Sequence, residues 1–283
     1  MKNPPIHLGR AFTLIELLVV ISIIAILAAL ILPALSAVKK KAQVKKAQME
    51  AGGIANAIHT YEADYSKFPA SAAAMTAALA VPAAAGGPDD ITYGTAGVIC
   101  VGPGGNVAGL PGTGFQTPTG TYAVESPGYK TNNSEVMSAL LDVEYWPALP
   151  GVPTMNLGHV KNPQKTQYLN ATMSGNTSSP GIGTDGTYRD VWGNPYIITM
   201  DLNFDDKARD VFYRGTISAD QADSNTPKRG LNGLIPKVLG ANVFYEASGP
   251  VMVWSAGPDK MIDNGLGASA NKGANKDNII SWK

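Results

Sequence analysis

The sequence has few of the residues on which enzyme and disulfide chemistry depend. It contains one cysteine and three histidines, and its 22 basic residues balance 22 acidic ones. One cysteine excludes an intramolecular disulfide framework, and the charge balance gives no global signature of nucleic-acid binding. Cys100 lies in a glycine-rich stretch without an identifiable histidine partner, and His59 and His159 are expected to be structural or exposed. We therefore predict that the protein is not an enzyme.

Charge is also absent from one long N-terminal stretch. The 22 residues from Leu17 to Val38 include no charged side chain, and about 20 apolar residues at 1.5 Å each cross a hydrocarbon core of ~30 Å. Residues 12–38 are therefore predicted to form a transmembrane helix. Glu16 lies at its start. An isolated charged side chain costs roughly 2.5–3.5 kcal/mol at the centre of a membrane helix, so a carboxylate that enters the bilayer should have a partner or a task.

The residues from Phe12 to Ile21, Phe-Thr-Leu-Ile-Glu-Leu-Leu-Val-Val-Ile, resemble the cleavage and methylation motif of type IV pilins and type II secretion pseudopilins. The resemblance implies that residues 1–11 are a leader, that a prepilin peptidase cuts at the Ala11/Phe12 junction, and that Phe12 is then N-methylated. The chain departs from the family pattern at Ala11, where glycine is usual. The alternative is an ordinary signal anchor that happens to contain a glutamate.

Filament assembly would explain Glu16. Once Phe12 is the N-terminus, its ammonium group lies at the depth of the Glu16 carboxylate, and a neighbouring subunit shifted by one step would present that ammonium to it. Removing one partner of a buried ion pair leaves the other charge unpaired and is strongly destabilising. The alternative is a glutamate that reaches the membrane interface without a partner.

The helix is expected to continue beyond the membrane as an amphipathic segment, residues 39–68. Its apolar residues recur at spacings of 4, 3, 4 and 3, which is typical of one helical face; they are Ile54, Ile58, Tyr61, Tyr65 and Phe68. Pro33 is expected to kink or locally melt the helix, and Phe68-Pro69 to end it. Residues 69–187 are rich in Gly, Pro and Ala. Within them we expect a short helix before Pro82 and another over 134–146.

Residues 188–283 show strand patterns. We predict strands at Tyr196–Met200, Val211–Tyr213, Asn242–Glu246 and Val251–Ser255, and the resemblance to pseudopilins implies a small antiparallel sheet in this region. The predicted fold class is therefore α+β, a long N-terminal helix with a globular head. The turn Asp190-Val-Trp-Gly-Asn-Pro-Tyr196 and the ending from Ser255 to Lys283 resemble major pseudopilins, with Lys260 at a position where glycine is common.

The C-terminal tail is the candidate metal site. Calcium prefers carboxylate and carbonyl oxygen ligands, and the resemblance implies a calcium ion held in this loop by Asp259, Asp263 and Asp277. A second acidic stretch, from Asp201 to Phe212, has the spacing that opens an EF-hand loop. It has Asp206 where that loop needs glycine and Phe212 where it needs glutamate, so we do not expect metal there.

The resemblance implies a pseudopilin subunit that polymerises into a periplasmic filament of a type II secretion system. Its partners would be further copies, other pseudopilins, the prepilin peptidase and the inner-membrane platform, without nucleic acid. The protein would be a single-pass inner-membrane protein with a periplasmic head, although the lysines that follow Val38 favour the opposite orientation under the positive-inside rule. The alternatives are a surface type IV pilin for adhesion or DNA uptake, and a membrane-anchored module that binds a ligand through residues 69–187.

Overall fold

The computed structural model describes residues 13–80, 90–94, 99–101, 107–108, 115–117, 120–122, 132–263 and 267–283. The predicted leader, the Ala11/Phe12 junction and much of the glycine- and proline-rich stretch therefore lie outside the described residues. The chain divides into two compact units, one that ends at Lys45 and one from Lys46 onward. We call the second the head unit.

The N-terminal helix, α1, extends from Leu14 to Tyr65 and stays helical through Pro33 and Gly52-Gly53. It ends three residues before the predicted stop at Phe68, because Ser66 adopts a positive φ of 51° and donates its N–H to the Glu62 carbonyl. The predicted apolar face is buried in the head unit, and it begins earlier than the large side chains indicate. Its fully buried residues are Ala47, Ala51, Ile54, Ile58 and Tyr61.

Two short helices follow. Helix α2 (Ala72–Leu79) agrees with the short helix expected before Pro82, and the Ser71 side chain caps it by accepting the Ala74 N–H at 3.1 Å. Helix α3 (Ser134–Leu140) is shorter than predicted. The prediction over 134–146 is wrong at its C-terminal end, because Asp142 adopts a φ of 57° and turns the chain, after which Tyr145 pairs with Pro153.

The strands are short and numerous. A four-stranded antiparallel sheet forms the centre of the head unit, in the order β1 (Ile91–Tyr93), β8 (Ile197–Met200), β11 (Val251–Ser255) and β13 (Ile279–Ile280). Cys100 was expected in a loop but lies in β2 (Ile99–Val101), which pairs in parallel with β12 (Met261–Asp263). The strands are β1 (Ile91–Tyr93), β2 (Ile99–Val101), β3 (Val107–Ala108), β4 (Phe115–Thr117), β5 (Gly120–Tyr122), β6 (Gly181–Ile182), β7 (Tyr188–Arg189), β8 (Ile197–Met200), β9 (Ile235–Leu239), β10 (Asn242–Glu246), β11 (Val251–Ser255), β12 (Met261–Asp263) and β13 (Ile279–Ile280).

Three of the four predicted strands are confirmed as β8, β10 and β11, and the head therefore has the predicted α+β class. The strand predicted at Val211–Tyr213 is wrong, because this segment forms a turn. Oδ1 of the buried Asp210 accepts the backbone N–H groups of Phe212 and Tyr213 at 2.8 Å each. A side chain that satisfies two consecutive amides holds the chain in a turn and removes them from a strand ladder.

Aromatic packing organises the core behind the sheet. The Trp254 ring of β11 stacks on Phe212 and meets Tyr213 edge-on, with ring centroids 5.2 Å apart in both pairs. The Trp254 indole N–H donates to Asp210 Oδ2 at 2.9 Å. The same carboxylate therefore shapes the turn and anchors the largest core side chain.

Candidate functional site

The first described turn of α1 contains a reciprocal cap. The backbone N–H and the hydroxyl group of Thr13 donate to Oε2 of Glu16 at 2.8 and 2.7 Å. The Glu16 N–H in turn approaches Thr13 Oγ1 at 3.3 Å. This is the capping box expected of threonine followed three residues later by glutamate. The Glu16 carboxylate is thus hydrogen-bonded to Thr13, at the N-terminal end of its own helix. Ala11 and Phe12 lie outside the described residues.

The helix surface that follows is apolar and exposed. From Leu14 to Val38, the large apolar side chains that the structure describes are all exposed. Their exposed fractions lie between 47% at Val20 and 85% at Leu14. By length and composition, α1 is able to cross a membrane. Such a surface in a soluble monomer would be an association site, so it requires lipid or other helices around it.

In the head unit, the Asp190–Tyr196 turn is built on one buried carboxylate. Asp190 Oδ1 accepts the N–H groups of Trp192 and Asn194 at 2.8 and 2.9 Å, and its Oδ2 accepts the Ser255 hydroxyl at 2.5 Å. Burial raises the pKa of Asp190, while these donors favour its ionised form. Gly193 is required here, because it has a φ of 90° and an added Cβ would lie 2.7 Å from the Ser178 carbonyl oxygen.

This turn joins α1 to the C-terminal loop. On one side, the Tyr196 hydroxyl donates to Glu50 Oε2 of α1 at 2.7 Å. On the other, the Asn194 side-chain amide donates to the Gly257 carbonyl at 2.7 Å. The turn is thus hydrogen-bonded both to α1 and to the start of the predicted calcium loop.

Two of the three predicted ligands come together in that loop. Burial raises the pKa of Asp259, and the negative charge of Asp277 raises it further. Burial likewise raises the pKa of Asp277, an effect opposed by backbone N–H groups that include that of Asp259. Lys260 has a positive φ of 61°, which explains why glycine suits this position in the related ending.

Two oxygen atoms of consecutive residues, Asp277 and Asn278, are without a protein donor. Asp277 Oδ1 and Asn278 Oδ1 are buried and have no hydrogen-bond partner. A buried acceptor left unsatisfied costs free energy, which a bound water molecule or cation would offset. Asn278 was not among the predicted ligands.

Asp263 has a different environment. Its backbone N–H donates to Asn275 Oδ1 at 2.8 Å, and its carbonyl accepts the Asn275 side-chain N–H at 2.6 Å. Asn275 thereby closes the loop that begins after β12. Among the described residues, no group of three or more Asp, Glu, His or Cys side chains is arranged to hold a metal. Any calcium ion must therefore combine the acid pair with amide, backbone or water oxygens.

The other titratable candidates belong to local structure. Nδ1 of His159 lies 2.8 Å from Asp142 Oδ1, within the turn that follows α3, and His59 lies 3.7 Å from Glu62 on α1. In the EF-hand-like stretch, the Asp201 carboxylate accepts the N–H groups of Asp205 and Asp206 at 3.2 and 2.7 Å. That carboxylate caps a turn of its own backbone.

Comparison with known proteins agrees with the N-terminal geometry. Residues 9–32 match the family model of the prokaryotic N-terminal methylation motif. The chain is 34% identical to the type II secretion system core protein G of Aeromonas hydrophila over 134 residues, which cover 47% of this chain and 83% of that protein. It is 35% identical to the core protein G of Klebsiella pneumoniae over 75 residues, 26% of this chain and 54% of that protein.

A pilin is also similar. The chain is 44% identical to the type IV major pilin protein PilE1 of Neisseria gonorrhoeae over 62 residues, which cover 22% of this chain and 38% of that protein. No solved structure matches the chain significantly. The chain thus spans most of one core protein G, about half of the other and 38% of the pilin.

The methylation motif, the exposed apolar helix and the α+β head together define a protein of the prepilin class. Within that class, the chain belongs to the family of the type II secretion system core protein G. Its relatives include a core protein of type II secretion systems and a type IV major pilin.

Proposed function

We propose that this protein is a structural subunit that polymerises through α1 into a periplasmic filament, which drives protein export by a type II secretion system. The observation that carries the proposal is the exposed apolar surface from Leu14 to Val38, with Glu16 at its start, in a member of the core protein G family. That surface suits two environments, the bilayer before assembly and packed neighbouring helices after it.

Processing prepares the subunit for assembly. A prepilin peptidase cuts between Ala11 and Phe12, and Phe12 is N-methylated; the match of residues 9–32 to the methylation motif supports both steps. In the membrane, the Glu16 carboxylate is held by Thr13. On assembly, the N-terminal ammonium of a neighbouring subunit pairs with Glu16, because a charge-assisted contact is stronger than a hydroxyl donor.

The protein is anchored by α1 as a single-pass inner-membrane protein, with its head unit in the periplasm. Its partners are further copies of itself, other pseudopilins and the inner-membrane platform of the secretion system. The family relationship supports this orientation. The positive-inside rule favours the opposite orientation, because more basic residues follow Val38 than the two, Lys2 and Arg10, in the leader.

Calcium binding in the C-terminal loop is part of this proposal. Asp259 and Asp277 would hold the ion together with Oδ1 of Asn278, and Asp263 is proposed as a further ligand. The oxygen donor set and the two unsatisfied oxygens fit a hard cation. Bound calcium would neutralise the repulsion between Asp259 and Asp277 and so hold the loop in its folded position.

Filament assembly tests the main proposal. Glu16→Ala and Glu16→Val are expected to leave membrane insertion unchanged and to reduce filaments at least tenfold, measured by shearing and electron microscopy of cells that overproduce the protein. Thr13→Ser is the matched control, because it keeps a hydroxyl donor for Glu16. Normal filaments in both Glu16 variants would contradict the ion pair.

A surface type IV pilus is the second candidate, favoured by the similarity to PilE1. Deleting the gene that encodes the protein distinguishes a secretion filament from a surface pilus. Loss of secreted proteins from the medium with surface pili intact supports the secretion filament. Loss of surface pili with secretion intact would assign the protein to a pilus.

A further inference from the structure

Four lysines follow directly after the apolar part of α1. They are Lys39, Lys40, Lys41 and Lys45, all exposed and all within the unit that ends at Lys45. We call them the lysine collar. The proposed function uses the apolar surface before them and leaves the collar itself without a role.

The helix distributes these charges around its circumference. Successive residues of an α-helix are rotated by about 100°, so the three consecutive lysines point in three different directions. Lys45 lies four residues after Lys41 and therefore on the same side. A ligand that neutralises the collar must consequently surround the helix, as a layer does, because a single facing groove reaches only one side.

Acidic residues do not balance the collar within its own segment. From Leu17 to Met49 the sequence contains no Asp or Glu. The next lysine, Lys46, belongs to the head unit, and its Nζ lies 3.8 Å from Glu50 Oε1. The head unit as a whole has 16 basic and 21 acidic residues. Within α1, a net positive charge therefore lies at the C-terminal boundary of the apolar segment, and the head unit has a net negative charge.

We propose that the lysine collar binds the anionic headgroups of the membrane that α1 crosses. The 22 uncharged residues before Lys39, at 1.5 Å each, span about 33 Å, close to the thickness of a hydrocarbon core. The collar therefore lies at headgroup depth, where long lysine side chains reach phosphates while their methylene groups stay in the apolar layer. Each lysine near an anionic surface strengthens the interaction about fivefold.

Two consequences follow for the subunit. The collar fixes how deep α1 sits, and it holds an acidic head at an anionic surface that would otherwise repel it. Leaving the membrane for the filament then requires release of these headgroups, so extraction becomes sensitive to lipid charge and ionic strength. This inference rests on the proposed membrane-spanning role of α1 but is independent of calcium and of the Glu16 ion pair.

The test uses the full chain in lipid nanodiscs, made either from phosphatidylcholine alone or with about one third phosphatidylglycerol. Lysine acetylation by a water-soluble reagent is followed residue by residue with mass spectrometry. We expect the collar lysines to react at least fivefold more slowly in the anionic discs, and the difference to disappear near 1 M salt, where the screening length falls to about 3 Å. The exposed head lysines Lys165 and Lys272 are internal controls and should react equally in both discs.

A matched pair of variants gives a second measurement. Replacing all four collar lysines by Gln should reduce the preference for spin-labelled phosphatidylglycerol over phosphatidylcholine to about one. Lys165→Gln with Lys272→Gln should leave that preference unchanged. The acetylation test uses only the wild-type chain. It can therefore contradict the proposal even if the fourfold variant folds poorly.

The outcomes separate this inference from the proposed function. Incorporation into both discs with equal acetylation rates overturns the collar and leaves the membrane helix in place. The collar proposal is also overturned if acetylation is slow in both lipids and only when a disc holds several copies of the protein. In that case neighbouring subunits, and not headgroups, cover the lysines. Failure to incorporate into either disc overturns the membrane-spanning role and the collar together.

Discussion

The hydroxyl group of Tyr196 donates a 2.7 Å hydrogen bond to Oε2 of Glu50, across 146 residues of sequence. The bond ties the Asp190–Tyr196 turn to α1. Burial raises the pKa of Glu50, whereas the bond from Tyr196 and the charge of Lys46 favour its ionised form. A half-buried carboxylate therefore depends on this hydroxyl at neutral pH.

Tyr196→Phe should destabilise the head unit by about 1–2 kcal/mol at pH 7, because ionised Glu50 loses a buried donor. For a domain of this size that is a fall in Tm of roughly 2–8 °C. When folding raises the pKa of a carboxyl group, the free energy of unfolding falls as the pH rises through that pKa. The variant should therefore differ most from wild type at pH 7 and least below about pH 4, where Glu50 is protonated. Thermal melts of the full chain in detergent measure this, and a difference that grows as the pH falls would contradict the assignment.

The mature protein should begin with N-methylated Phe12. Intact-mass and peptide mass spectrometry of protein purified from membranes checks this directly. Ala11→Gly is a useful comparison, since it restores the usual residue before the cut and should increase the processed fraction. An intact Met1, or a terminus beyond Val38, would overturn the processing proposal.

Calcium should raise the melting temperature of the full chain in detergent relative to chelator. Binding to the folded state alone stabilises it by about 2.7 kcal/mol at a hundredfold excess over Kd, which corresponds to roughly 5–11 °C. Asp259→Ala and Asp277→Ala should each abolish the shift, and Asp263→Ala tests whether that residue is a ligand. Asp220→Ala, in an acidic loop elsewhere in the head unit, is the control and should keep it. No shift in the wild-type protein means that the loop holds no calcium.

Gly257→Ala should damage the same loop without removing a ligand. Gly257 has a φ of 71°, and an added Cβ would lie 2.2 Å from the Asp277 carbonyl oxygen. Displacement of Asp277 should weaken calcium binding at least tenfold. Gly240→Ala is the matched control, because Gly240 also has a positive φ, 61°, but nothing lies within 4 Å of its Cβ position. Equal calcium affinity in both variants, measured by titration, would show that the approach to Asp277 does not matter.

Periodic or continuous patterns were read correctly from the sequence. The apolar face of α1 and the strands β8, β10 and β11 could be predicted, because the spacing of apolar residues along the chain differs between a helix and a strand. The predictions are wrong where local hydrogen bonds or a positive φ set the backbone. The Asp210 side chain accepts two amides and holds Val211–Tyr213 in a turn. Ser66 adopts a positive φ and ends α1 before Phe68.

The sequence by itself determined the methylation motif, the apolar length of α1 and the lysines that follow it, because each is a property of consecutive residues. Only the tertiary structure decided which distant groups meet. It brought Asp259 to Asp277, left Asp277 Oδ1 and Asn278 Oδ1 without donors, and closed the Asp263 end of the loop through Asn275. Those relationships depend on how β11, β12 and β13 return the chain to the same place, and a linear pattern of acids does not contain that information.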